Sequence, residues 1–429
     1  MFEGMKKILP QTIKNYFHLV AAFFAALFFR FPARKLIVIG VTGTDGKTTT
    51  TSMVYHSLKK LGLKVGMVST VEAKIGEKEV KTGFHVTTPD SFQVQKFLRE
   101  MVKAGTKYAV VEMTSHGLDQ NRVAFIPLRV AVITNITPEH LDYHKNLNKY
   151  TLAKAKILRG TRFRVLNFDD PSFSQLRLMG FGQLISFGLR QGADIRASSV
   201  AETEFGLELK INLRGKQKDK ESFPLTTPLA GRFNVYNILA TVGVLKALGF
   251  EGAKTGPLLE DFPGVKGRMQ FISEGQDFFV VVDFAHTPAA LEAALKSLQH
   301  YQHNKLICVF GAASERDILK RGVMGKVATK LADYSIFTSE DPRNEDPNKI
   351  IEEIAAGAVE VGGVFNQSFW KIADRAEAIG LATKNLAKKG DIVAIFGKGH
   401  EETMNIGGKE IPWSDEKLAR QSLKERFFK

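Results

Sequence analysis

The sequence predicts an α/β chain: a central phosphate-loop-type domain with a mostly parallel sheet, then a C-terminal Rossmann-like α/β domain, with a short hydrophobic helix in front. Three observations predict it. Apolar, β-rich runs at 36–41, 65–69, 108–113, 130–136 and 163–167 alternate with helical patterns such as 48–61 and 91–104, the signature of βαβ units. A glycine-rich turn joins the first run to the first helix. A Pro-Gly-Val-Lys-Gly linker at 263–267 precedes a second alternating set, with strands expected at 278–283, 306–310, 334–338 and 391–396 and a helix at 288–299. The expected boundaries are 1–35, 36–266 and 267–429. Residues 197–225, polar, alternating and lysine-rich, read as a hairpin excursion, and a helix follows at 234–248.

Composition narrows the class. The 429 residues are 44% hydrophobic and 24% charged, which excludes wholesale disorder, a collagen-like repeat and a multi-span membrane protein. A formal charge of +15 favours anionic partners without choosing among them. No groove-reading motif accompanies that charge, so nucleic acid is not an expected partner. The one cysteine, Cys308, lies in the apolar run Ile307-Cys308-Val309-Phe310 and reads as a buried thiol in a reducing compartment.

The first element is an uninterrupted apolar run from Leu19 to Phe29, preceded by Lys6, Lys7 and Lys14 and closed by Arg30, Arg34 and Lys35. It is shorter than the roughly 20 residues a span needs, and no small-residue cleavage site follows it. Two readings stand level: a helix packed on the protein, and an interfacial membrane helix with basic flanks over residues 5–35. A true span is the weakest.

The second element is the strongest motif, Gly40-Val41-Thr42-Gly43-Thr44-Asp45-Gly46-Lys47-Thr48-Thr49-Thr50. A buried strand enters a glycine-rich turn and a helix leaves it. Such a turn lets backbone N–H groups converge on phosphate oxygens at a helix N-terminus. Lys47 is placed to reach outer phosphates, and the Thr48 hydroxyl to hold Mg²⁺. Glu112 ends a later apolar strand, where ligands of open α/β sheets gather, and a carboxylate there suits a hard cation. His140 and His144 stand four residues apart, a spacing that suggests zinc, but no third ligand with convincing spacing follows.

With these motifs the chain resembles the Mur ligase superfamily. Its loop matches the family's Gly-Thr-Asn-Gly-Lys-Thr, with Asp45 in place of the asparagine. Thr87-Thr88-Pro89, the stretch from Val111 to Arg122, Thr134-Asn135-Ile136-Thr137-Pro138-Glu139-His140, Gly267-Arg268-Met269, Asp283-Phe284-Ala285-His286 and Gly397-Lys398-Gly399-His400-Glu401 are similar to the MurE type within it. The resemblance implies an ATP-dependent amide ligase of peptidoglycan synthesis. Such an enzyme adds a diamino acid to UDP-N-acetylmuramoyl-L-alanyl-D-glutamate through an acyl phosphate. It implies that ATP is held by Gly43, Thr44, Asp45, Gly46, Lys47, Thr48 and Thr49, with Asn135, Asn234, Arg268, Asp283 and His286. Asn234 also reads as an ordinary helix N-cap.

The resemblance makes Lys47, Glu112, His140 and Lys154 the catalytic set, and Thr48, Glu112, His140 and a carbamylated Lys154 the Mg²⁺ ligands. Lys156 competes with Lys154 for that role. Thr87, Thr88, Thr114, Gln120 and Arg122 match positions that hold the muramyl-peptide acceptor. Asp341, Arg343, Gly397 and Glu401 match positions that hold the incoming amino acid. Arg343 favours meso-diaminopimelate over lysine, because its fork suits a distal carboxylate. Asp341 replaces the family's asparagine and adds negative charge that would attract an ammonium.

Two departures matter. The family's Gly-Gly-Asp-Arg-Asp loop reads Ala312-Ala313-Ser314-Glu315-Arg316-Asp317. The family's uridine-binding N-terminal domain has no room ahead of Leu36, so the acceptor is expected to be held without it, held by a partner, or carried on lipid. A membrane-attached nucleotide-binding module without turnover is the non-ligase alternative. The chain is expected to be a monomer in the cytoplasm, with the inner face of the membrane as the place the interfacial reading of residues 5–35 would give it.

Overall fold

A computed structural model describes residues 10–81, 89–203, 206–214, 221–314 and 318–427. The chain divides into two compact units. One comprises Met1–Ala201, Glu208–Thr227 and Asn234–Phe262, and the other Glu202–Leu207, Pro228–Phe233 and Pro263–Lys429.

The first unit is built on strands β1 (Ile37–Thr42), β2 (Val65–Val68), β3 (Glu72–Ile75), β4 (Lys78–Lys81), β5 (Tyr108–Glu112), β6 (Val130–Ile133), β7 (Phe163–Asn167), β8 (Gln183–Gly188), β9 (Ile195–Thr203), β10 (Gly206–Leu213) and β11 (Glu221–Thr227). They form one eleven-stranded sheet in the order β11-β10-β9-β8-β7-β6-β1-β5-β2-β3-β4. From β8 to β2 every pairing is parallel. These strands are apolar on both faces because helices cover both, as a parallel sheet requires. Residues 197–225 differ from the expected excursion: β9, β10 and β11 extend the sheet at its edge, and β10 alternates buried and exposed positions along most of its length.

β1 sits between β5 and β6, with β2 beyond β5 and β7 beyond β6. The strand order reverses there, so the carboxyl ends of β1, β5 and β6 open a crevice, the place where ligands bind open α/β sheets. Helix α1 (Gln11–Phe28) buries Ala22, Ala25 and Ala26 completely. Phe28 and Phe29 lie in ring contact with Phe92, on helix α2 (Ser91–Lys103). Among the described residues no helix is long and apolar enough to cross a membrane.

The second unit carries a six-stranded sheet in the order β12-β13-β17-β14-β15-β16: β12 (Gln270–Ile272), β13 (Phe279–Asp283), β14 (Leu306–Phe310), β15 (Tyr334–Phe337), β16 (Phe369–Lys371) and β17 (Ile392–Phe396). Only β12 is antiparallel to its neighbour. Alternate residues feed two cores, one through Cys308, Phe310 and Phe337, the other through Ile307, Val309 and Ile336. Cys308 is buried in β14, as its apolar neighbours predict.

A buried ion pair joins two strand ends of this sheet. Arg375 binds Asp415 through Nε (2.8 Å) and Nη2 (2.6 Å), and also donates to the carbonyls of Ser339 (3.1 Å) and Phe396 (2.7 Å). Both side chains are fully buried. Breaking such a pair strands a charge, so Asp415→Ala is expected to cost roughly 3–5 kcal/mol, read as a lower midpoint in denaturant unfolding. A loss under about 1 kcal/mol would show that the Arg375 charge finds other partners.

Candidate functional site

The phosphate loop follows β1 and precedes the helix Lys47–Lys60. Gly46 has φ +78°, and a Cβ there would sit 2.1 Å from Asn237 Oδ1, so only glycine fits. Asn237 lies on the helix Asn234–Ala247 and donates through Nδ2 to Asn234 Oδ1 at 2.8 Å. Asn234 is the first residue of that helix. Asn135, expected beside the nucleotide, shapes the loop itself: its Oδ1 accepts from the amides of Thr44 (3.1 Å) and Asp45 (2.8 Å), while Nδ2 donates to the Asp45 carbonyl at 3.2 Å. Lys47 Nζ donates to the Thr44 carbonyl at 2.6 Å. Thr49 is buried on the helix's first turn.

At the end of β5, Glu112 is buried in an oxygen-rich cluster. Thr48 Oγ1 lies 3.2 Å from its Oε1, and Thr70 reaches Oε2 through its amide (3.1 Å) and hydroxyl (3.2 Å). The two hydroxyls lie 3.0 Å apart. Sequence reasoning missed Thr70, although it follows β2, the neighbour of β5, where the same strand-end rule would have found it.

Lys154 lies on the helix Leu147–Ala155, fully buried, with Nζ donating to the Gly43 carbonyl at 2.5 Å. Burial, with the charge of Lys47 nearby, pushes its amine well below the usual ammonium range, against the pull of Glu139, Asp45 and Glu112. Lys156, the competitor, points elsewhere: it pairs with Asp119 Oδ1 at 2.8 Å. Tyr150 stands one helical turn before Lys154. Its hydroxyl lies 3.2 Å from Thr44 Oγ1, and burial raises its phenol above the usual range. The i, i+4 spacing to Lys154 was its signal in the sequence.

His140 caps a single helical turn in the left-handed conformation, with φ +55°. It stands against the ring of His116, centroids 4.9 Å apart, and His116 also meets Tyr143 at 4.3 Å and the buried His144 at 5.4 Å. Tyr143 leads to the segment 114–122, where the acceptor residues are expected: its hydroxyl takes a hydrogen bond from Gln120 Nε2 (3.3 Å) and donates to Asp119 (3.0 Å). Burial pushes the Tyr143 phenol up to about 12. Asp119 also accepts from Asn15 of α1 at 3.1 Å. Against the burial that would raise it, Lys156 holds the Asp119 carboxyl low. Thr114 caps the helix Ser115–Asp119 by accepting from the Gly117 amide (3.1 Å), and burial lowers the half-buried Arg122 guanidinium. His144 in turn meets Tyr150, ring centroids 5.1 Å apart, so one contact chain runs from Thr44 of the phosphate loop to Gln120. Thr87 and Thr88 lie outside the described residues, as do Glu315, Arg316 and Asp317.

In the second unit, Asp341, Gly397 and Glu401 converge around a residue not singled out from the sequence. Lys398, its side chain wholly buried, pairs with Asp341 Oδ1 at 2.9 Å and with Glu401. The two carboxylates hold its ammonium up against the burial that would lower it. The sequence suggests that Asp341 offers open negative charge; the fold instead commits that charge to Lys398 and to the Asn405 amide (3.0 Å). A Cβ on Gly397 would sit 3.3 Å from the Glu340 carboxyl group, so glycine leaves that buried acid room. Arg343, in the left-handed region at φ +48°, is tied by its backbone to Asn405 and Gly407.

Asp283 ends β13 with both oxygens committed to backbone amides, Met269 and Ala285, each at 2.7 Å, and burial raises its carboxyl. It thereby fixes the turn carrying Arg268, whose guanidinium lies 4.4 Å from the centre of the Phe284 ring. His286 Nδ1 lies 2.9 Å from the Phe284 carbonyl.

Comparison with known proteins places the two parts of the chain in one family. Residues 41–245 match the Mur ligase middle domain, and residues 267–399 the Mur ligase glutamate ligase domain. A relative from Geobacillus kaustophilus, named UDP-N-acetylmuramoyl-L-alanyl-D-glutamate--2,6-diaminopimelate ligase, is 38% identical over 97% of this chain and 85% of its own length. A UDP-N-acetylmuramyl-tripeptide synthetase from Deinococcus radiodurans is 39% identical over 99% of this chain and 85% of its own. A solved UDP-N-acetylmuramoyl-L-alanyl-D-glutamate--2,6-diaminopimelate ligase aligns at a TM-score of 0.63 and 31% identity, covering 92% of this chain and 79% of that one. The fold is also that of a MurF ligase from Thermotoga maritima solved with ADP, at a TM-score of 0.69 and 19% identity, covering 95% and 83%.

Proposed function

The chain belongs to the Mur ligase family, and from that premise we propose that it is an ATP-dependent ligase of peptidoglycan synthesis joining meso-diaminopimelate to UDP-N-acetylmuramoyl-L-alanyl-D-glutamate. The observation that supports the reading is the contact chain from Thr44 of the phosphate loop, through Tyr150, His144 and Tyr143, to Gln120, with the Thr48–Glu112 cluster and the buried Lys154 each bonded to the loop or its helix.

The chemistry accounts for the residues. A carboxylate does not react with an amine. Transfer of the terminal phosphoryl group of ATP to the acceptor's free carboxylate forms an acyl phosphate and releases ADP. The amine of the incoming amino acid then attacks the acyl carbon, phosphate leaves, and the nitrogen loses a proton. Lys47 and the loop amides bind and neutralise the phosphates. Gln120 and Arg122 orient the acceptor, so that both reactants meet in line.

The donor set fits Mg²⁺, since the Glu112 cluster is buried and oxygen-rich. Thr48, Glu112, His140 and Lys154 would hold the ion, which when bound supplies charge neutralisation at the transferring phosphoryl group. Among the described residues no three His, Cys, Asp or Glu side chains form a metal cluster. A carbamate on Lys154 would add an anionic oxygen to the set. Burial favours that modification, because only the neutral amine combines with CO₂, giving R–NH–COO⁻ and a proton.

For the amino acid, Arg343 takes the distal carboxylate. Arg343→Ala is expected to raise the KM for diaminopimelate by about a hundredfold, the worth of a charge-assisted bidentate contact, and to leave the KM for ATP nearly unchanged. Equal effects on both would discard the assignment. A second reading, a lipid-linked acceptor, is favoured by the Asn15–Asp119 bond between α1 and the acceptor segment. Phosphate release measured with UDP-linked and lipid-linked muramyl dipeptide, each with diaminopimelate, lysine or no amino acid, separates the two. Release without any acceptor would sink both. We place the enzyme in the cytoplasm, where its ATP is, as a monomer with no nucleic-acid partner.

A further inference from the structure

We propose that the outer face of α1 is a docking surface for a bilayer bearing anionic headgroups. The helix is two-sided. Ala22, Ala25 and Ala26 are fully buried on one side, while Tyr16, Phe17, Phe24 and Phe28 on the other are 65%, 61%, 56% and 72% exposed. At 100° per residue these four fall within one third of the helix circumference, a single face with its axis along the protein surface. The body of the first unit extends the patch. Phe28 meets the half-exposed Phe92 at 6.4 Å, and Phe23 meets the half-exposed Phe125 at 5.6 Å. An apolar surface of this extent needs an occupant.

Charge selects which one. From Gly4 to Val71 the only acid is Asp45, and the exposed Arg30, Arg34 and Lys35 stand where α1 ends. A second copy of the chain would bring like charge to like charge. An anionic bilayer supplies apolar depth for the aromatic face and phosphate for the basic end, the pairing that holds interfacial helices. Among the described residues no helix is long and apolar enough to cross a membrane, so the docking assigned to α1 is along the interface.

Docking is independent of the ligase reading, because it is read without turnover. Full-length protein is sedimented with vesicles of phosphatidylglycerol and phosphatidylcholine, or of phosphatidylcholine alone, at low and high salt. Binding is expected only with phosphatidylglycerol present, and it should weaken as salt screens the charges. Phe24→Glu with Phe28→Glu should lose at least tenfold in vesicle affinity. Arg30→Ser, Arg34→Ser and Lys35→Ser should each lose about fivefold. Phe28→Ser alone, with an unchanged melting temperature, separates lost docking from lost folding. Equal binding to neutral vesicles, no binding to either, or a wild-type dimer that the Phe24→Glu, Phe28→Glu pair dissociates would each overturn the proposal.

Discussion

Lys154→Ala is expected to lower turnover about a thousandfold, roughly 4 kcal/mol of barrier, with the phosphate loop still able to bind nucleotide. Lys154→Arg should fail as badly, because a guanidinium keeps its charge and takes up no CO₂. Adding a short carboxylic acid should restore part of the activity of Lys154→Ala, by placing a free carboxylate where the carbamate would stand. Gentle mass measurement of the intact wild type should show the added mass of one CO₂, and degassed buffer should remove it. Full activity in Lys154→Arg would dismiss the carbamate. The amine also carries a pH signature. Its native pKa lies well below the unfolded value of about 10.4, so the unfolded chain binds the extra proton between the two. Stability in CO₂-free buffer should therefore rise with pH across that window, and the slope should flatten in Lys154→Met.

The second large effect belongs to Lys47. Lys47→Met is expected to cost about a hundred- to a thousandfold in kcat/KM for ATP, the usual worth of a positioned charge on a transferring group. It should do something further. The Lys47 charge helps to push the Lys154 amine below its usual range, so its removal is expected to raise that amine and lower CO₂ uptake at fixed pH. A Lys47→Met, Lys154→Ala double variant should then lose less than the two single losses combined. Strict additivity would show that the two lysines act separately.

Much of this was legible in the residues because local chemistry and topology point the same way. The glycine-rich turn had to follow a strand, and Glu112 had to end one, so β1 and β5 could be placed beside a crevice before their order was known. What the sequence hid were partners brought in from elsewhere in the chain. Thr70 meets Glu112 across two strands. Asn237 meets the loop from a helix nearly two hundred residues away. Lys398 takes the charge of Asp341, which by itself reads as open to substrate. Burial was equally invisible: an alternating Leu-Ala-Lys-Ala-Lys stretch reads as a solvated face, yet Lys154 is sealed and Lys156 is not. The edge strands β9 to β11 escaped because polar alternation suits a free hairpin as well as the rim of a large sheet.

The bond between Asn15 and Asp119 has a practical consequence at the bench. The same carboxylate accepts from Tyr143 and Lys156, so, with the acceptor held by Gln120 and Arg122 as proposed, a disturbance of α1 is expected to reach acceptor binding before the nucleotide loop. A purification tag that pries α1 from its seat, or a protease nick just behind Asn15, would pass as harmless in an ADP-binding titration and still blunt acceptor handling.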